Sequence, residues 1–228
     1  MLYDKLLLIG LFCKFDTKRQ LMRIHLHPFR KTDIEYRFVI STLGLVAQSK
    51  ELLQHENLKH DDLYLMESSR ENMNNGKTWS YFTSVPQNYR WIAKMDMDTF
   101  LILPNVLQLF HSMKMYVDAY WGAFCGRFAG GAFYALTRDV VHVLQGNRSS
   151  LKRQGPEDQL VDDWLKQLHV GNTRINCRWG TRCIDLDTFA SQYARRVSNN
   201  TIFVHQVKTD TAWNRLLKQT SNQLGIFH

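Results

Sequence analysis

An α/β fold with a mostly parallel sheet is predicted by three features: short unbroken apolar runs, helical periodicity alternating with them, and a carboxylate pair ending one such run. The first run, Leu6 to Phe12, shows no polar alternation, as a strand covered on both faces would. A basic stretch from Lys18 to Arg30 follows and carries Arg19 and Arg23. Arg37 to Ser41 reads as a second strand, and Asp62 to Met66 as a third. Between them, Leu45 to Leu58 reads as a helix, with Leu52, Leu53 and Leu58 set among charges. Gly76 to Val85 places Trp79, Ser80, Phe82 and Thr83 at helical spacing and stops before Pro86. Trp91-Ile92-Ala93 is the fourth strand and runs straight into Asp96-Met97-Asp98. Pro104 then starts a helix with Val106, Leu107 and Phe110 facing inward.

The second half has a different texture. Ala119 to Phe133 is aromatic and glycine-rich, predicting strands and tight turns close to a ligand. Thr137 is expected to cap a helix with inner face Val140, Val141 and Leu144, closed by Gly146. Gly155-Pro156-Glu157-Asp158 opens another, with Leu160, Val161, Trp164, Leu165 and Leu168 on one face and Asp162 and Asp163 largely off it. Beyond Cys177 the pattern weakens until Thr201 to Val204, a strand leading into His205.

The 228 residues, 44% of them hydrophobic, suit one domain, and there is no internal repeat or low-complexity linker. A net charge of +8 points to an anionic partner. The basic residues are scattered, so a nucleotide phosphate or an anionic glycan suits the charge as well as nucleic acid does. None of the four cysteines forms a Cys-x-x-Cys pair, which argues against a zinc ribbon or thioredoxin motif. Cys177 and Cys183 flank a Trp-Gly turn and read either as a local disulfide or as two free thiols. Asn147-Arg148-Ser149 and Asn199-Asn200-Thr201 are glycan acceptors in a secretory compartment. No apolar stretch approaches the ~20 residues of a spanning helix, so the chain reads as cytosolic or as a catalytic domain without an upstream anchor.

Three groups of residues carry chemistry. Asp96 and Asp98, two apart, converge on one hard cation while the side chain between them turns to the core. Two solvated loop aspartates would look the same; the preceding strand and the following Thr99-Phe100-Leu101-Ile102 favour the metal. Glu157 and Asp158 in the first turn of a helix serve either its dipole or as a base for an acceptor hydroxyl. His205 and Lys208 offer an imidazole to the metal and a cation to phosphate, although a histidine ending a strand is commonly structural. Arg19, Arg23 and Lys77 are further phosphate candidates.

With these pieces in order, the chain resembles family 31 of the glycosyltransferases, the inverting β-1,3-galactosyl- and N-acetylglucosaminyltransferases, in the branch common in fungi and other simple eukaryotes. The resemblance runs through Leu7 to Phe12 with Arg19 and Arg23, Phe38-Val39-Ile40, Glu71 to Thr78, Lys94 to Phe100, Gly130 to Asp139, Gly155 to Asp158 and His205 to Lys208. It implies a GT-A fold in one domain, with nucleotide-binding residues in about 1–103 and acceptor and catalytic-base residues in about 104–228. It further implies Asp98 as the main ligand of Mn2+ or Mg2+, Asp96 near the ribose and metal, and His205 completing the site. Asp158, beside Glu157, would be the base, and Arg23, Lys77 and Lys208 would face the nucleotide of a UDP-sugar. A glycan or glycoprotein acceptor and a Golgi enzyme anchored by an N-terminal helix are implied too, and no nucleic acid is expected. Met97 stands where the family has a third acid, Thr137 where it has serine, and the anchor helix is not in this sequence.

Two other readings stay open at this level. A metal-dependent nucleotidyltransferase also pairs aspartates, but Leu11 to Arg23 lacks the glycine-rich triphosphate loop. A non-catalytic glycan- or nucleic-acid-binding module is motivated by the charge and by Met97.

Overall fold

The computed structural model describes residues 5–17, 19–186 and 197–224, with the side chains of 221–224 left out; Lys18 of the basic stretch lies outside them. The chain order is β1 (Lys5–Phe12), α1 (Gln20–Leu26) with a 3-10 turn at His27–Lys31, β2 (Ile34–Ser41), α2 (Ala47–His60), β3 (Leu63–Met66), α3 (Lys77–Ser84) and β4 (Tyr89–Asp96). Then come β5 (Phe100–Leu101), α4 (Leu103–Ser112), β6 (Ala119–Cys125), β7 (Phe128–Thr137), α5 (Arg138–Gly146) and α6 (Glu157–Gln167). The last elements are β8 (Thr173–Asn176), β9 (Cys183–Asp185), β10 (Phe203–His205) and α7 (Asp210–Leu224). Every strand and helix predicted in the first half is present, with shifted ends. The basic stretch holds α1; β8 and β9 are too short to show a period, whereas α7 was missed although Trp213, Leu216 and Leu217 stand at helical spacing.

The main sheet has strand order β3-β2-β1-β4-β7-β6-β8, parallel from β3 to β4. β7 runs antiparallel to β4, and β6 antiparallel to β7, because these two form a hairpin and no crossover helix separates them. A small sheet, β5-β10-β9, sits apart from it. Since the chain winds from β1 out to β3 and returns to β4 on the other side of β1, the order reverses between β1 and β4. In open α/β sheets that reversal leaves a crevice beyond the strand ends. Phe12 and Asp96 are partners in the register there.

Both faces of the sheet are covered, which is why its strands are apolar throughout. On one side Leu7, Ile9, Leu11, Trp91 and Met95 pack with residues of α1, α4 and α7. On the other Leu8, Ile92, Tyr134 and Leu136 pack with α3, α5 and α6. Trp91, Trp121 and Trp164 are fully buried, and truncating any one to Ala should cost about 3–5 kcal/mol. Gly10 lets α3 press onto the sheet: a Cβ there would lie 2.5 Å from the Tyr81 ring, whose hydroxyl donates to the Ala93 carbonyl at 3.0 Å.

Three local expectations are corrected. Thr137 sits at the start of α5 but does not cap it; its hydroxyl accepts from Ala119 N at 3.0 Å and ties β7 to β6. Asp162 is fully buried rather than off the packed face, because Lys166 Nζ (2.7 Å) and Arg174 (3.1 Å) surround it with positive charge. In α4 Leu109 is buried whereas Leu107 is only partly so. Cys177 and Cys183 form a disulfide, while Cys13 (buried) and Cys125 (exposed) are free. Among the described residues no helix is long and apolar enough to cross a membrane.

Candidate metal and nucleotide site

Asp96 ends β4 and Asp98 follows in a turn closed by Thr99 N donating to the Asp96 carbonyl at 3.1 Å. Met97 between them is only partly buried: it packs against the edge of the core and also faces the cleft beside Asp98. His205 arrives from far along the chain: β10 pairs with β5, whose Phe100 follows this turn closely, and Val207 N donates to the Asp98 carbonyl at 2.9 Å. Asp96, Asp98 and His205 each offer a ligand atom within 4.8 Å of the others.

His205 Nε2 lies 3.4 Å from Asp98 Oδ1, and its Nδ1 lies 3.5 Å from Asp185 Oδ2. Asp185 was not anticipated from the sequence, because only the parallel pairing of β9 with β10 sets it opposite His205. A carboxylate behind one imidazole nitrogen while the other faces an acidic cluster is the usual support of a metal-ligating histidine, so these residues fit a divalent ion. Burial alone would raise Asp98 and lower His205, but their mutual attraction outweighs it, holding Asp98 below and His205 above their ordinary values.

A cleft of about 270 Å³ opens beside this corner, lined by Thr17, Leu21, Met97, Asp98, Lys208 and Trp213. Lys208 therefore shares a cleft with Asp98, as expected. The other expected nucleotide-facing cations are engaged elsewhere. Arg19 Nε donates to Glu56 Oε1 at 2.8 Å, and Arg23 donates to Glu56 (2.6 Å) and to Asp62 (2.7 Å), so the two arginines clamp α1 to α2. Burial would raise Glu56, yet these guanidiniums hold it down at about 2. Arg19 also donates to the carbonyls of Lys14 and Phe15 at 3.2 and 3.3 Å, bracing the loop after β1. Lys77 is buried, paired with Glu71, and donates to the Cys13 carbonyl at 2.8 Å.

The two acids that open α6 are treated differently by the fold. Asp158 is half-buried; burial, with the Glu157 charge adding to it, raises it above the ordinary aspartate value. Glu157 is buried and hydrogen-bonded to Lys94, Thr78 and Tyr134. Lys94 was overlooked in the sequence although its signal is there: it is the one charge inside the apolar run Trp91 to Met95, on the same face of the strand as Asp96.

The fold is of the nucleotide-diphospho-sugar transferase (GT-A) type. A solved structure of 4-diphosphocytidyl-2C-methyl-D-erythritol synthase from Anaerococcus prevotii superposes with a TM-score of 0.51 at 9% identity, covering 94% of this chain and 97% of that one. The mannosyltransferase PcManGT from Pyrobaculum calidifontis, solved in complex with GDP-Man and Mn2+, gives a TM-score of 0.47 at 11% identity over 76% of this chain and 55% of that one. In sequence, the chain is similar to beta-1,3-galactosyltransferase 6 of Mus musculus, 26% identical over an alignment 166 residues long that covers 60% of this chain and 51% of that protein. The chain thus spans about half the length of this curated relative. No protein-family model matches it.

Proposed function

We propose that this chain is the catalytic part of a metal-dependent, inverting hexosyltransferase. It moves galactose or N-acetylglucosamine from a UDP-sugar to a hydroxyl of a glycan acceptor, with the β-1,3 linkage that the family-31 resemblance implies. The observation that carries the reading is the convergence of Asp96, Asp98 and His205 at the crevice between β1 and β4. The galactosyltransferase relative supports the same class.

Asp98, Asp96 and His205 would hold the ion, and two carboxylates with one imidazole suit Mn2+ better than Mg2+, which favours oxygen alone. Held by these three residues, a divalent ion would supply positive charge for a diphosphate leaving group. Lys208, exposed on the rim of the cleft, pairs with phosphate oxygens. Asp158, raised by burial, takes the proton of the attacking acceptor hydroxyl. Arg19, Arg23 and Lys77 act on the nucleotide by fixing the loops that border the crevice. In this division residues of about 1–103 bind the nucleotide and those of about 104–228 supply the acceptor side. A Golgi lumenal setting agrees with the Cys177–Cys183 disulfide, a bond of oxidising compartments.

The test is a screen of UDP-sugars for UDP release with Mn2+ present, alongside calorimetric titration of UDP with and without Mn2+. Metal-dependent UDP binding, and UDP release that Asp98→Asn abolishes, are expected. Pyrophosphate in place of UDP as the product would sink the reading in favour of nucleotidyl transfer.

A further inference from the structure

The acids that open α6 do not form an interchangeable pair. Glu157 spends both oxygens inside the protein: Oε1 accepts from Lys94 Nζ at 2.8 Å, and Oε2 accepts from Thr78 Oγ1 at 3.1 Å and from the Tyr134 hydroxyl at 2.9 Å. A buried carboxylate so engaged is not presented to a substrate hydroxyl. Lys94, with no exposed surface, is equally saturated. Its three ammonium protons meet Glu157, Asp96 Oδ1 at 2.8 Å and the Gly131 carbonyl at 2.5 Å. One buried cation therefore ties the acid that ends β4 to the first residue of α6, next to Asp158.

The cluster is also closed by shape. A Cβ on Gly131 would lie 2.7 Å from Glu157 Oε1, 3.1 Å from Lys94 Nζ and 3.6 Å from Asp96 Oδ2. The backbone of β7 thus approaches so closely that only glycine fits. Asn74 adds a further restraint, since Glu157 N donates to its Oδ1 at 3.1 Å and Gly155 N to its carbonyl at 2.9 Å.

We propose that Lys94 and Glu157 are positioning residues, a buried bridge that sets Asp96 for the metal and fixes α6, leaving Asp158 alone as the base. The proposal rests on the transferase reading. Its physical content is a competition for Asp96. While Glu157 is charged, Lys94 divides its attraction between two carboxylates and Asp96 keeps an oxygen for the ion. With Glu157 neutralised, Asp96 becomes the sole counter-charge of a buried ammonium and is drawn away from the metal.

The test measures Mn2+ binding directly, by the electron paramagnetic resonance of free Mn2+ in the presence of UDP, together with thermal midpoints and UDP-release kinetics. Glu157→Gln is expected to weaken Mn2+ binding about 10–100-fold, the range for residues that orient ligands, while kcat at saturating Mn2+ stays within about tenfold of wild type. Asp158→Asn is expected to leave Mn2+ binding unchanged and lower kcat by about 100-fold or more. Gly131→Ala, which changes no charge, should shift Mn2+ affinity in the same direction as Glu157→Gln.

A Glu157→Gln protein with wild-type Mn2+ affinity and only a lower thermal midpoint would reduce the bridge to a structural ion pair and overturn the proposal. Loss of kcat by 100-fold with unchanged Mn2+ affinity would overturn it differently, by making Glu157 the base. Should Glu157→Gln fail to fold, Gly131→Ala and Tyr134→Phe carry the test, and unchanged Mn2+ affinity in both refutes it. A wild-type chain that neither binds Mn2+ nor releases UDP refutes the transferase reading itself and the bridge with it, a result distinct from all the others.

Discussion

Two charged clusters both contain residues that the sequence nominated for the nucleotide. At the corner beyond β4, three carboxylates (Asp96, Asp98 and Asp185) gather around one imidazole at separations of 3.4 and 3.5 Å where they meet it, and the group is partly open to a cleft. Beside α1 and α2, Arg19 and Arg23 meet Glu56 and Asp62 at 2.6 to 2.9 Å, and Arg30 lies 3.5 Å from Asp62. The first cluster keeps surplus negative charge even with Lys94 Nζ 2.8 Å from Asp96; the second has its charges matched by well-aligned donors. A cluster that balances itself holds a fold together, whereas one that accumulates a single sign calls for an outside ion.

Substitution at the acidic corner should have the largest effect, and on function. Asp98→Asn is expected to cut UDP release by at least about 100-fold while leaving the thermal midpoint unchanged or slightly lower, because the attraction between Asp98 and His205 is lost. Wild-type activity in that variant, assayed across a Mn2+ titration, would erase the distinction between the clusters.

Substitution in the arginine cluster should do the reverse. Arg23→Met leaves Glu56 and Asp62 without one partner and should lower stability by about 3 kcal/mol in urea titration, toward the lower end for a broken buried pair. KM for the donor should change less than about threefold, well below the tenfold that 1.4 kcal/mol of lost binding would give. If KM rose tenfold at unchanged stability, Arg23 would be the phosphate contact that the family resemblance implies.

A third effect, no larger than the second, sharpens the comparison through pH. His25, on α1 with the arginines, is fully desolvated against Phe100 and Trp213, and burial lowers it to about 4, against a partial rise from a backbone bond to Leu101. Above pH 6.5 it is neutral in both the folded and the unfolded chain and contributes no pH dependence. Between 6.5 and about 4 the unfolded chain takes up a proton that the folded chain refuses, so stability falls as pH drops and levels off below about 4. The loss is on the order of 3 kcal/mol at most, and His25→Phe should flatten that part of the stability–pH curve.

Most strands and helices were legible because apolar periodicity is local: Leu6 to Phe12 or Val140 to Leu144 needs no distant partner to declare which side is buried. The exceptions are instructive. β9 is short and takes its place from its pairing with β10, and β7 turns antiparallel because a hairpin replaces a crossover. Thr137 looked like a cap and became a cross-strand tie once β6 lay beside it.

The candidate site divides along the same line. Asp96 and Asp98 ending an apolar strand, and Pro156 setting Glu157 and Asp158 at a helix start, are consequences of neighbouring residues and could be read in order along the chain. That His205 meets Asp98, that Asp185 stands behind His205, that Arg19 and Arg23 are held by Glu56 and Asp62, and that Lys94 takes Glu157 away from the cleft were decided only by tertiary structure. Side-chain type and spacing record which residues prefer water, but which charge finds which partner depends on where long-range strand pairing closes the loops between them.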